Sequence, residues 1–274
     1  MSSSAPVGLT ILLPNLVRSN LIAVVPAPAS PAHRSARLVH VVREVQAIIF
    51  DLDNTLWDVG PVILRAEHAM ARFLAERYPR VMQLHTLDSM RDARARMAVE
   101  HPAMRHDFTW LRKRALAIHA REAGYAEVMV EEAFDVFYRA RNEVVLYDDV
   151  IPALEELSRS FRLFAISNGN ADLAAIGLAR YFERSLAARE AGMLKPDPRI
   201  FTMLLAGAGI EPIQAAHVGD DPEADVIGAR RAGVTPVWLN RPRVPWPVEA
   251  PPPEYAVASL SELAPLLLSR AAAG

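Results

Sequence analysis

The chain has 274 residues, of which 51% are hydrophobic and 23% charged, a globular composition that excludes a mostly disordered or collagen-like protein. Thirty basic and 32 acidic residues give a formal net charge of −2, so no overall field attracts nucleic acid, and no apolar run reaches the ~20 residues of a membrane span. The absence of cysteine excludes disulfides and cysteine nucleophiles, which leaves carboxylates, hydroxyls, lysines and histidines for catalysis.

The first 43 residues differ in composition from the rest of the chain. They contain no Asp or Glu, begin with a run of serines after Met1, and carry four arginines and five prolines. This composition indicates a disordered leader or a start codon assigned too far upstream, and it is also compatible with an organelle transit peptide. We expect residues 1–44 to lie outside the folded part and the protein to be cytoplasmic.

Four apolar runs follow, and each ends at a polar residue. They comprise residues 47–50, 163–166, 215–218 and 237–239. Such runs are typical of strands buried on both faces of a parallel sheet, and helical patterns separate the last three of them. This alternation predicts a doubly wound, mostly parallel α/β sheet, whose ligands lie beyond the carboxyl ends of the strands. Asp51, Ser167 and Asp220 fall at those ends.

A long interval without a strand pattern separates the first two runs. Apolar residues recur there at helical spacing in four segments, residues 62–74, 87–99, 108–118 and 130–138. Four helices inserted into an α/β domain predict an all-helical cap over the strand ends. We therefore assign residues 45–60 and 149–274 to a core domain and residues 61–148 to a helical cap domain.

Carboxylates cluster at two of the predicted strand ends. Asp51 and Asp53 follow the first strand, and a turn after Asp51 would let them converge as nucleophile and general acid/base or as cation ligands. Asp220, Asp221 and Asp225 follow the third strand. Neighbouring carboxylates repel one another unless a cation compensates, and an all-oxygen ligand set suits Mg²⁺. Each group taken singly is also explained by solvated acids or by acids at a helix start.

Two further groups suit a bound phosphate. Ser167, Asn168 and Gly169 offer a hydroxyl, an amide and backbone N–H groups, which together form a cradle for an anion. Lys195 precedes a predicted helix and supplies a cation. A turn, a helix cap or a solvated lysine would explain each feature alone. Their occurrence in order, each at a strand end, favours one shared site.

In this order the four groups resemble the four motifs of the haloacid dehalogenase-like (HAD) hydrolase superfamily. The motifs are Asp51-x-Asp53-x-Thr55, Ser167-Asn168, Lys195 and Gly219-Asp220-Asp221-x-x-x-Asp225. The resemblance extends over most of the chain from residue 46 onward, and the helical insertion is similar to the type 1 cap of that superfamily. It implies a Rossmann-like core with an inserted cap and a Mg²⁺ cofactor.

The resemblance also implies a role for each motif residue. Asp51 would be the nucleophile, Asp53 the general acid and then the base, and Lys195 the bridge between Asp51 and a phosphoryl group. The implied phosphate ligands are Thr55, Ser167, Asn168, Gly169 and Lys195. The implied Mg²⁺ ligands are Asp51, Asp53 through its backbone carbonyl, and Asp220, with Asp221 and Asp225 supporting them directly or through water.

Asp53 favours a phosphatase over other members of the superfamily. A phosphate ester leaves as an alkoxide and needs a proton donor, whereas a halide does not. The dehalogenases of the superfamily typically lack this second carboxylate, while phosphomutases share all four motifs. The resemblance therefore implies a phosphomonoester hydrolase that acts through an aspartyl-phosphate intermediate.

The segments around the motifs narrow the choice of substrate. Residues 58–67, 106–109, 167–171 and 217–221 are similar to the branch that hydrolyses FMN and the riboflavin precursor 5-amino-6-(5-phospho-D-ribitylamino)uracil. Trp57, Ser167 and most of the cap depart from that branch. We expect a small phosphorylated metabolite, with FMN or this precursor first and nucleotide or sugar phosphates as the alternative. A 2-haloacid dehalogenase and a catalytically silent phosphate-binding protein are further alternatives.

The cap would cover the leaving group, so its residues are candidates for specificity. The candidates are His106, Asp107, Trp110 and Arg112. A simpler interpretation places Trp110 in the core of the cap and Arg112 on a solvated helix face. The sequence predicts neither nucleic-acid nor membrane partners, and it leaves monomer and homodimer undecided.

Overall fold

A six-stranded parallel sheet forms the centre of the computed structural model, which describes residues 45–268. The strands are β1 (Ala47–Phe50), β2 (Arg162–Ser167), β3 (Arg184–Ala187), β4 (Ala215–Gly219), β5 (Thr235–Leu239) and β6 (Tyr255–Val257). They lie in the order β3-β2-β1-β4-β5-β6, with every pairing parallel. The predicted doubly wound α/β sheet is confirmed. The predictions for residues 1–44 lie outside the described residues.

Both faces of β1 are buried, which explains its unbroken apolar sequence. Successive side chains of a strand point to opposite faces. Ile48 and Phe50 therefore join the apolar cluster on one side of the sheet, and Ala47 and Ile49 join the cluster on the other. Because β1 lies between β2 and β4, the order of the strands reverses beside it. The loops that leave these three strands therefore open a crevice at one edge of the sheet.

Helices fill the interval between β1 and β2, as predicted. They are α1 (Val59–Arg77), α2 (Pro79–Leu84), α3 (Leu87–Glu100), α4 (Phe108–Glu122) and α5 (Val128–Arg141). The short helix α2 has no counterpart among the four predicted helical segments. Proline has no N–H to satisfy and suits the first turn of a helix, so Pro79 begins α2.

Polar side chains fix the starts of three of these helices. Asp58 Oδ1 accepts a hydrogen bond from Gly60 N at 3.0 Å before α1, and Asp107 Oδ1 accepts from Trp110 N at 2.8 Å before α4. Thr86 and Ser89 form a reciprocal capping pair at α3. Such caps satisfy backbone N–H groups that have no partner within the helix. The buried faces then meet in an apolar cluster that includes Met70 and Phe137.

Shorter helices flank the sheet. Helix α6 (Val150–Leu157) precedes β2, and the helices after β2 are α7 (Leu173–Ile176), α8 (Ala188–Ala191), α9 (Pro198–Ala206), α10 (Gly228–Arg231) and α11 (Leu263–Leu268). A π-helical segment, Pro222–Ile227, joins β4 to α10. Within residues 45–268, no helix has both the length and the apolar character needed to cross a bilayer.

Candidate active site

Asp51 begins the site at the end of β1. Its amide donates to the Val218 carbonyl at 2.9 Å, which continues the sheet by one residue. The carboxylate is only 10% exposed. Its Oδ1 accepts from Lys195 Nζ at 2.6 Å, and its Oδ2 accepts from Thr55 Oγ1 at 3.0 Å. These two hydrogen bonds fix the orientation of the Asp51 carboxylate in the crevice.

The chain turns directly after Asp51, as convergence of the two carboxylates requires. Leu56 N donates to the Leu52 carbonyl at 2.8 Å, and Asn54, with φ of 62°, reverses the backbone between them. Asp53 therefore lines the same small cavity as Asp51 instead of pointing to the opposite face of a strand. The structure brings together the two carboxylates of the first motif.

Lys195 is buried among three acceptors. Its Nζ donates to Asp51 Oδ1 and Asp225 Oδ1, both at 2.6 Å, and to the Ile166 carbonyl at 3.3 Å. Asn168 holds its backbone, since Asn168 Oδ1 accepts from Lys195 N at 2.8 Å and Asn168 Nδ2 donates to Lys195 O at 3.1 Å. Burial lowers the pKa of Lys195, but the two carboxylates outweigh it and raise that pKa above its ordinary value. The ammonium group is therefore a permanent charge.

The segment after β2 lies against Asp53. Ser167 is buried, and its Oγ accepts from Gly169 N at 2.9 Å, which leaves the hydroxyl hydrogen to donate. A Cβ on Gly169 would lie 2.5 Å from Asp53 Oδ2, so only glycine fits. The side chain of Asn168, predicted to bind phosphate, is instead engaged with Lys195. The loop thus presents the Ser167 hydroxyl beside the carboxylate of Asp53.

Asp225 positions Lys195 from the opposite side. It is 1% exposed, and its Oδ2 accepts from Asp221 N at 2.9 Å. Its Oδ1 receives Lys195 and lies 3.0 Å from His217 Nε2. Although burial alone raises the pKa of Asp225, Lys195 and His217 bring it below its ordinary value. Both oxygens of Asp225 are therefore engaged with protein groups.

Asp220 and Asp221 have different surroundings. The Asp221 carboxylate accepts from Glu223 N and Ala224 N at 2.8 Å, so it caps the π-helical segment. Asp220 Oδ1 has one weak donor, Thr55 Oγ1 at 3.5 Å. Burial, then the charges of Asp225 and Asp221, raise the pKa of Asp220 to about 7. The half-buried carboxylate of Asp220 thus has few positive charges near it.

The carboxylates at the strand ends fit a divalent cation. Oxygen atoms of Asp51, Asp220 and Asp225 lie within 4.8 Å of one another. Burial raises the pKa of Asp51 well above its ordinary value, and the charges of Asp225 and Asp220 raise it further against the effect of Lys195. A bound cation would relieve this repulsion, and oxygen donors suit a hard ion such as Mg²⁺. Asp51 and Asp220 are the available ligands, because Asp225 is engaged elsewhere.

Arg141 is a site residue that sequence reasoning missed. It ends α5 and is 1% exposed, and its NH2 group donates to Asp53 Oδ1 at 2.7 Å and Oδ2 at 2.8 Å. Trp57 Nε1 donates to Asp53 Oδ1 at 2.8 Å. An arginine in the last turn of a helix is ordinarily explained by the helix dipole, so no local sequence signal indicates this contact. Arg141 fixes Asp53 and joins the inserted helices to the core.

A cavity of about 430 Å³ adjoins Asp53 beneath the inserted helices. Its lining residues are Asp53, Val59, Ile63, Arg94, Ala95, Ala98, Phe108, Arg112, Phe137, Arg141, Gly169 and Asn170. The Arg112 guanidinium lies 3.6 Å from the centre of the Phe137 ring. Burial, then the charge of Arg94, lower the pKa of Arg112 to about 9, so it keeps its charge at neutral pH. The cavity therefore combines apolar walls with fixed cations.

The four predicted cap candidates occupy different places. Arg112 is 8% exposed and lines the cavity, so the alternative of a solvated helix charge is wrong. Asp107 caps α4, and Trp110 packs edge-on against His101 with ring centres 5.1 Å apart. His106 is half-buried and does not line the cavity. Only Arg112 of the four lies where a leaving group would extend from Asp53.

Several known proteins are similar to this chain in sequence. Residues 45–233 match the family described as haloacid dehalogenase-like hydrolase. A phosphoserine phosphatase of Thermus thermophilus is 39% identical over 158 residues, which cover 56% of this chain and 63% of that protein. The 5-amino-6-(5-phospho-D-ribitylamino)uracil phosphatase of Escherichia coli is 32% identical over 200 residues, or 72% of this chain and 84% of that protein.

A solved structure extends the comparison to the three-dimensional fold. The 2-haloacid dehalogenase of Pseudomonas syringae is 36% identical, with a TM-score of 0.78 over 82% of this chain and 99% of that one. The similar proteins thus carry the names of phosphatases and of a dehalogenase, and the geometry around Asp53 bears directly on that choice.

Proposed function

Because the chain belongs to the haloacid dehalogenase-like hydrolase family, as its four motifs predicted, we propose that it is a Mg²⁺-dependent phosphomonoester hydrolase. One observation carries this proposal: Asp51 and Asp53 line a single cavity of about 140 Å³ together with Lys195 and Asp220. A second carboxylate beside the nucleophile supplies the proton that an alkoxide leaving group needs. Two of the similar proteins are phosphatases by name.

Asp51 is the nucleophile in this reaction. Thr55 and Lys195 orient its oxygens, and one of these oxygens forms a bond to phosphorus while the ester P–O bond breaks. The leaving alkoxide takes a proton from Asp53. Asp53 then takes a proton from a water molecule, whose oxygen attacks phosphorus, releases phosphate and regenerates the Asp51 carboxylate.

The remaining groups hold the phosphoryl oxygens and neutralise their charge. The Ser167 hydroxyl and Lys195 Nζ lie where they can contact the transferring group, and the backbone of residues 168 and 169 completes this cradle. Asp51, the backbone carbonyl of Asp53 and Asp220 would hold Mg²⁺, which supplies charge neutralisation to the phosphoryl oxygens. Asp225 acts indirectly, since it fixes Lys195. Arg141 likewise fixes Asp53.

The cavity under the inserted helices supports a substrate with a large leaving group. We propose FMN or 5-amino-6-(5-phospho-D-ribitylamino)uracil, with the phosphate at Asp51 and the ring beneath residues 61–148, which act as the cap. Phe108 offers a face for an aromatic ring, while Arg94 and Arg112 can donate to ring carbonyl oxygens. A volume of about 430 Å³ far exceeds the serine part of phosphoserine.

Phosphoserine is a second candidate because of one relative and one structural feature. The phosphoserine phosphatase of Thermus thermophilus is 39% identical over the part it shares with this chain. Arg94 and Arg112 could bind the carboxylate of an amino acid, since guanidinium groups match carboxylates. Nucleoside and sugar phosphates stay alternatives of the same reaction class.

Phosphate release from a substrate panel tests the proposal. The panel contains FMN, the ribitylaminouracil phosphate, phosphoserine, nucleoside monophosphates and sugar phosphates, each with Mg²⁺ or with a chelator. We expect preference for FMN or the precursor, with loss of activity in the chelator and in Asp51→Asn. Equal rates over the panel would contradict the proposed substrate but would still support phosphomonoester hydrolysis. Chloride release from 2-chloropropionate without phosphate release would instead identify a dehalogenase.

A further inference from the structure

Three side chains of the inserted helices bring metal-ligating atoms together apart from the carboxylates of the core. His85 follows the last residue of α2, while His119 and Glu122 lie one turn apart at the end of α4. One donor atom from each lies within 4.8 Å of the others. None of the three takes part in the proposed reaction.

Ring nitrogens of both histidines are buried and have no hydrogen-bond partner among residues 45–268. They are both ring nitrogens of His119, whose side chain is 4% exposed, and the Nε2 atom of the half-buried His85. Glu122 Oε2 lies 3.2 Å from His85 Nε2 and 3.7 Å from His119 Nδ1, but neither contact forms a hydrogen bond. Buried polar groups normally have a hydrogen-bond partner or a bound ion, so these nitrogens need an explanation.

The spacing of the donor atoms suits a tetrahedral metal ion. Ligand atoms about 2.0–2.1 Å from a tetrahedral Zn²⁺ ion lie about 3.3 Å from one another, close to the 3.2 Å that separates His85 Nε2 from Glu122 Oε2. The side chain of Glu122 is 51% exposed, so water can reach the fourth coordination position. The cluster therefore has the open two-histidine, one-carboxylate form of many zinc sites.

The chemistry of the donors distinguishes this cluster from the one at Asp51. Imidazole nitrogen favours zinc and other transition metals, whereas carboxylate oxygen alone favours Mg²⁺.

We propose that His85, His119 and Glu122 form a second metal site, selective for a divalent transition metal such as Zn²⁺. The bound ion joins the end of α2 to the end of α4 and satisfies one unpartnered nitrogen of each histidine. It stabilises the packing of the inserted helices and takes no part in phosphoryl transfer. This inference is independent of the proposed substrate and reaction.

Zn²⁺ titration of the full-length protein tests the site directly. Mg²⁺ is kept in large excess, and the Asp220→Asn variant is titrated in parallel to separate binding at the core carboxylates. We expect one Zn²⁺ ion per chain in both proteins by isothermal calorimetry, and Co²⁺ should give the visible absorption of a tetrahedral complex. Zn²⁺ should also raise the Tm of both proteins.

Variants then assign the ion to this cluster. Glu122→Gln and His85→Gln should lower Zn²⁺ affinity by more than about tenfold and remove the rise in Tm, since even groups around a ligand change affinity by ~10–100-fold. Glu100→Gln and His68→Gln are matched controls at exposed positions of α3 and α1, and they should bind as the wild type does. Glu122 is half-exposed, so Glu122→Gln folds even where a histidine variant does not.

Two results would overturn the proposal. The first is the absence of Zn²⁺ binding by the wild type when Mg²⁺ is in excess. The second is Zn²⁺ binding that is lost in Asp220→Asn and kept in Glu122→Gln, which would place the ion at the core carboxylates. If no phosphate ester were hydrolysed, the Zn²⁺ titration and the variants would still test the zinc site.

Discussion

Two buried charge clusters lie at opposite ends of the proposed substrate site, and they have opposite imbalances. At the strand ends, three carboxylates, Asp51, Asp220 and Asp225, share the single ammonium group of Lys195. Between the inserted helices α1, α3 and α4, three guanidinium groups share the single carboxylate of Glu67. They belong to Arg91, Arg94 and Arg112, at 2.6, 3.3 and 3.5 Å from Glu67.

The pKa shifts of the carboxylates in the two clusters reflect these charge imbalances. In the core cluster, burial and neighbouring carboxylates raise the pKa of Asp220 to about 7. Burial also raises the pKa of Glu67, but the hydrogen bond from Arg91 and the charges of the arginines reverse the effect and lower it. The core cluster therefore lacks positive charge, which suits Mg²⁺, whereas the helical cluster lacks negative charge, which suits an electron-rich leaving group. The difference indicates which end of a substrate each cluster binds.

Removal of Lys195 should have the largest effect, because it worsens the imbalance of the core. In Lys195→Met, Asp51 and Asp225 lose their common partner while they stay buried. Loss of one partner from a buried ion pair costs about 3–5 kcal/mol of unfolding free energy. We expect kcat to fall by about 10⁴-fold or more as the phosphoryl group also loses its cation. Urea unfolding and phosphate release measure the two effects.

Lys113→Met is the matched control, since Lys113 forms an ion pair with Glu131 at a partly exposed position of α4. It should change stability by less than about 1 kcal/mol. Mg²⁺ should restore part of the stability that Lys195→Met loses, because the variant has more uncompensated negative charge. A Lys195→Met protein as stable as the wild type would show that the carboxylates of the core do not depend on this charge.

Arg141 joins the inserted helices to Asp53, and its removal should affect kcat more than stability. In Arg141→Gln, Asp53 keeps Trp57 as a donor but loses the contacts that fix both of its oxygens. Positioned acid–base groups contribute about 10²–10⁴-fold, so we expect kcat to fall by about 10²-fold with KM little changed. Steady-state kinetics should give normal values for Arg139→Gln, an exposed position one half-turn earlier in α5. An equal loss in both variants would contradict a specific role of Arg141.

The contrast between these residues also explains what the sequence could predict. Strands buried on both faces are continuous apolar runs, and parallel strands end at the same edge of a sheet. Asp51, Ser167 and Asp220 could therefore be placed together from the positions of those runs alone. The same reasoning predicted the parallel α/β sheet and its helical insertion, although it missed strand β3 and the short helix α2.

The helical cluster could not be predicted in this way. Glu67 and Arg112 are 45 residues apart and meet only because α1 and α4 pack in one particular arrangement. Helical periodicity indicates which face of each helix is buried, but it gives no register between two helices. A buried arginine also contradicts the usual preference of that residue for the surface. The sequence therefore also allows a solvated position for Arg112, and it does not indicate the role of Arg141.

Removal of Glu67 tests the helical cluster and should cost less than removal of Lys195. Glu67→Gln leaves Arg112 buried without its carboxylate, but Arg91 and Arg94 are 38% and 32% exposed and can turn toward water. We expect a loss of about 1–3 kcal/mol in unfolding free energy, measured in urea. Phosphate or sulfate ions should restore part of it, whereas Mg²⁺ should not. Glu76→Gln, exposed on the same helix, should change little.

If Mg²⁺ instead of phosphate or sulfate restored the unfolding free energy of Glu67→Gln, that result would contradict the opposite charge imbalances of the two clusters. The same measurement on Lys195→Met completes the comparison, because each variant should respond only to the ion that its cluster lacks.

Arg94→Gln should have the smallest effect and the most specific one. Arg94 lines the cavity and is 32% exposed, so its loss should change unfolding free energy by less than about 1 kcal/mol. A guanidinium group that donates to a ring carbonyl contributes about 1.5–3 kcal/mol to binding at most, so KM for FMN or the precursor should rise by about tenfold. Arg96→Gln, exposed two residues later on α3, controls for loss of charge.

The expected change in KM of Arg94→Gln differs between FMN and phosphoserine. A ring bound beneath the inserted helices loses one of several contacts in Arg94→Gln, whereas the carboxylate of phosphoserine would lose one of two cations. KM should therefore rise more for phosphoserine than for FMN if both are hydrolysed. An unchanged KM for every substrate would show that the positive charge of the helical cluster balances Glu67 alone, and the leaving group would then have to lie elsewhere.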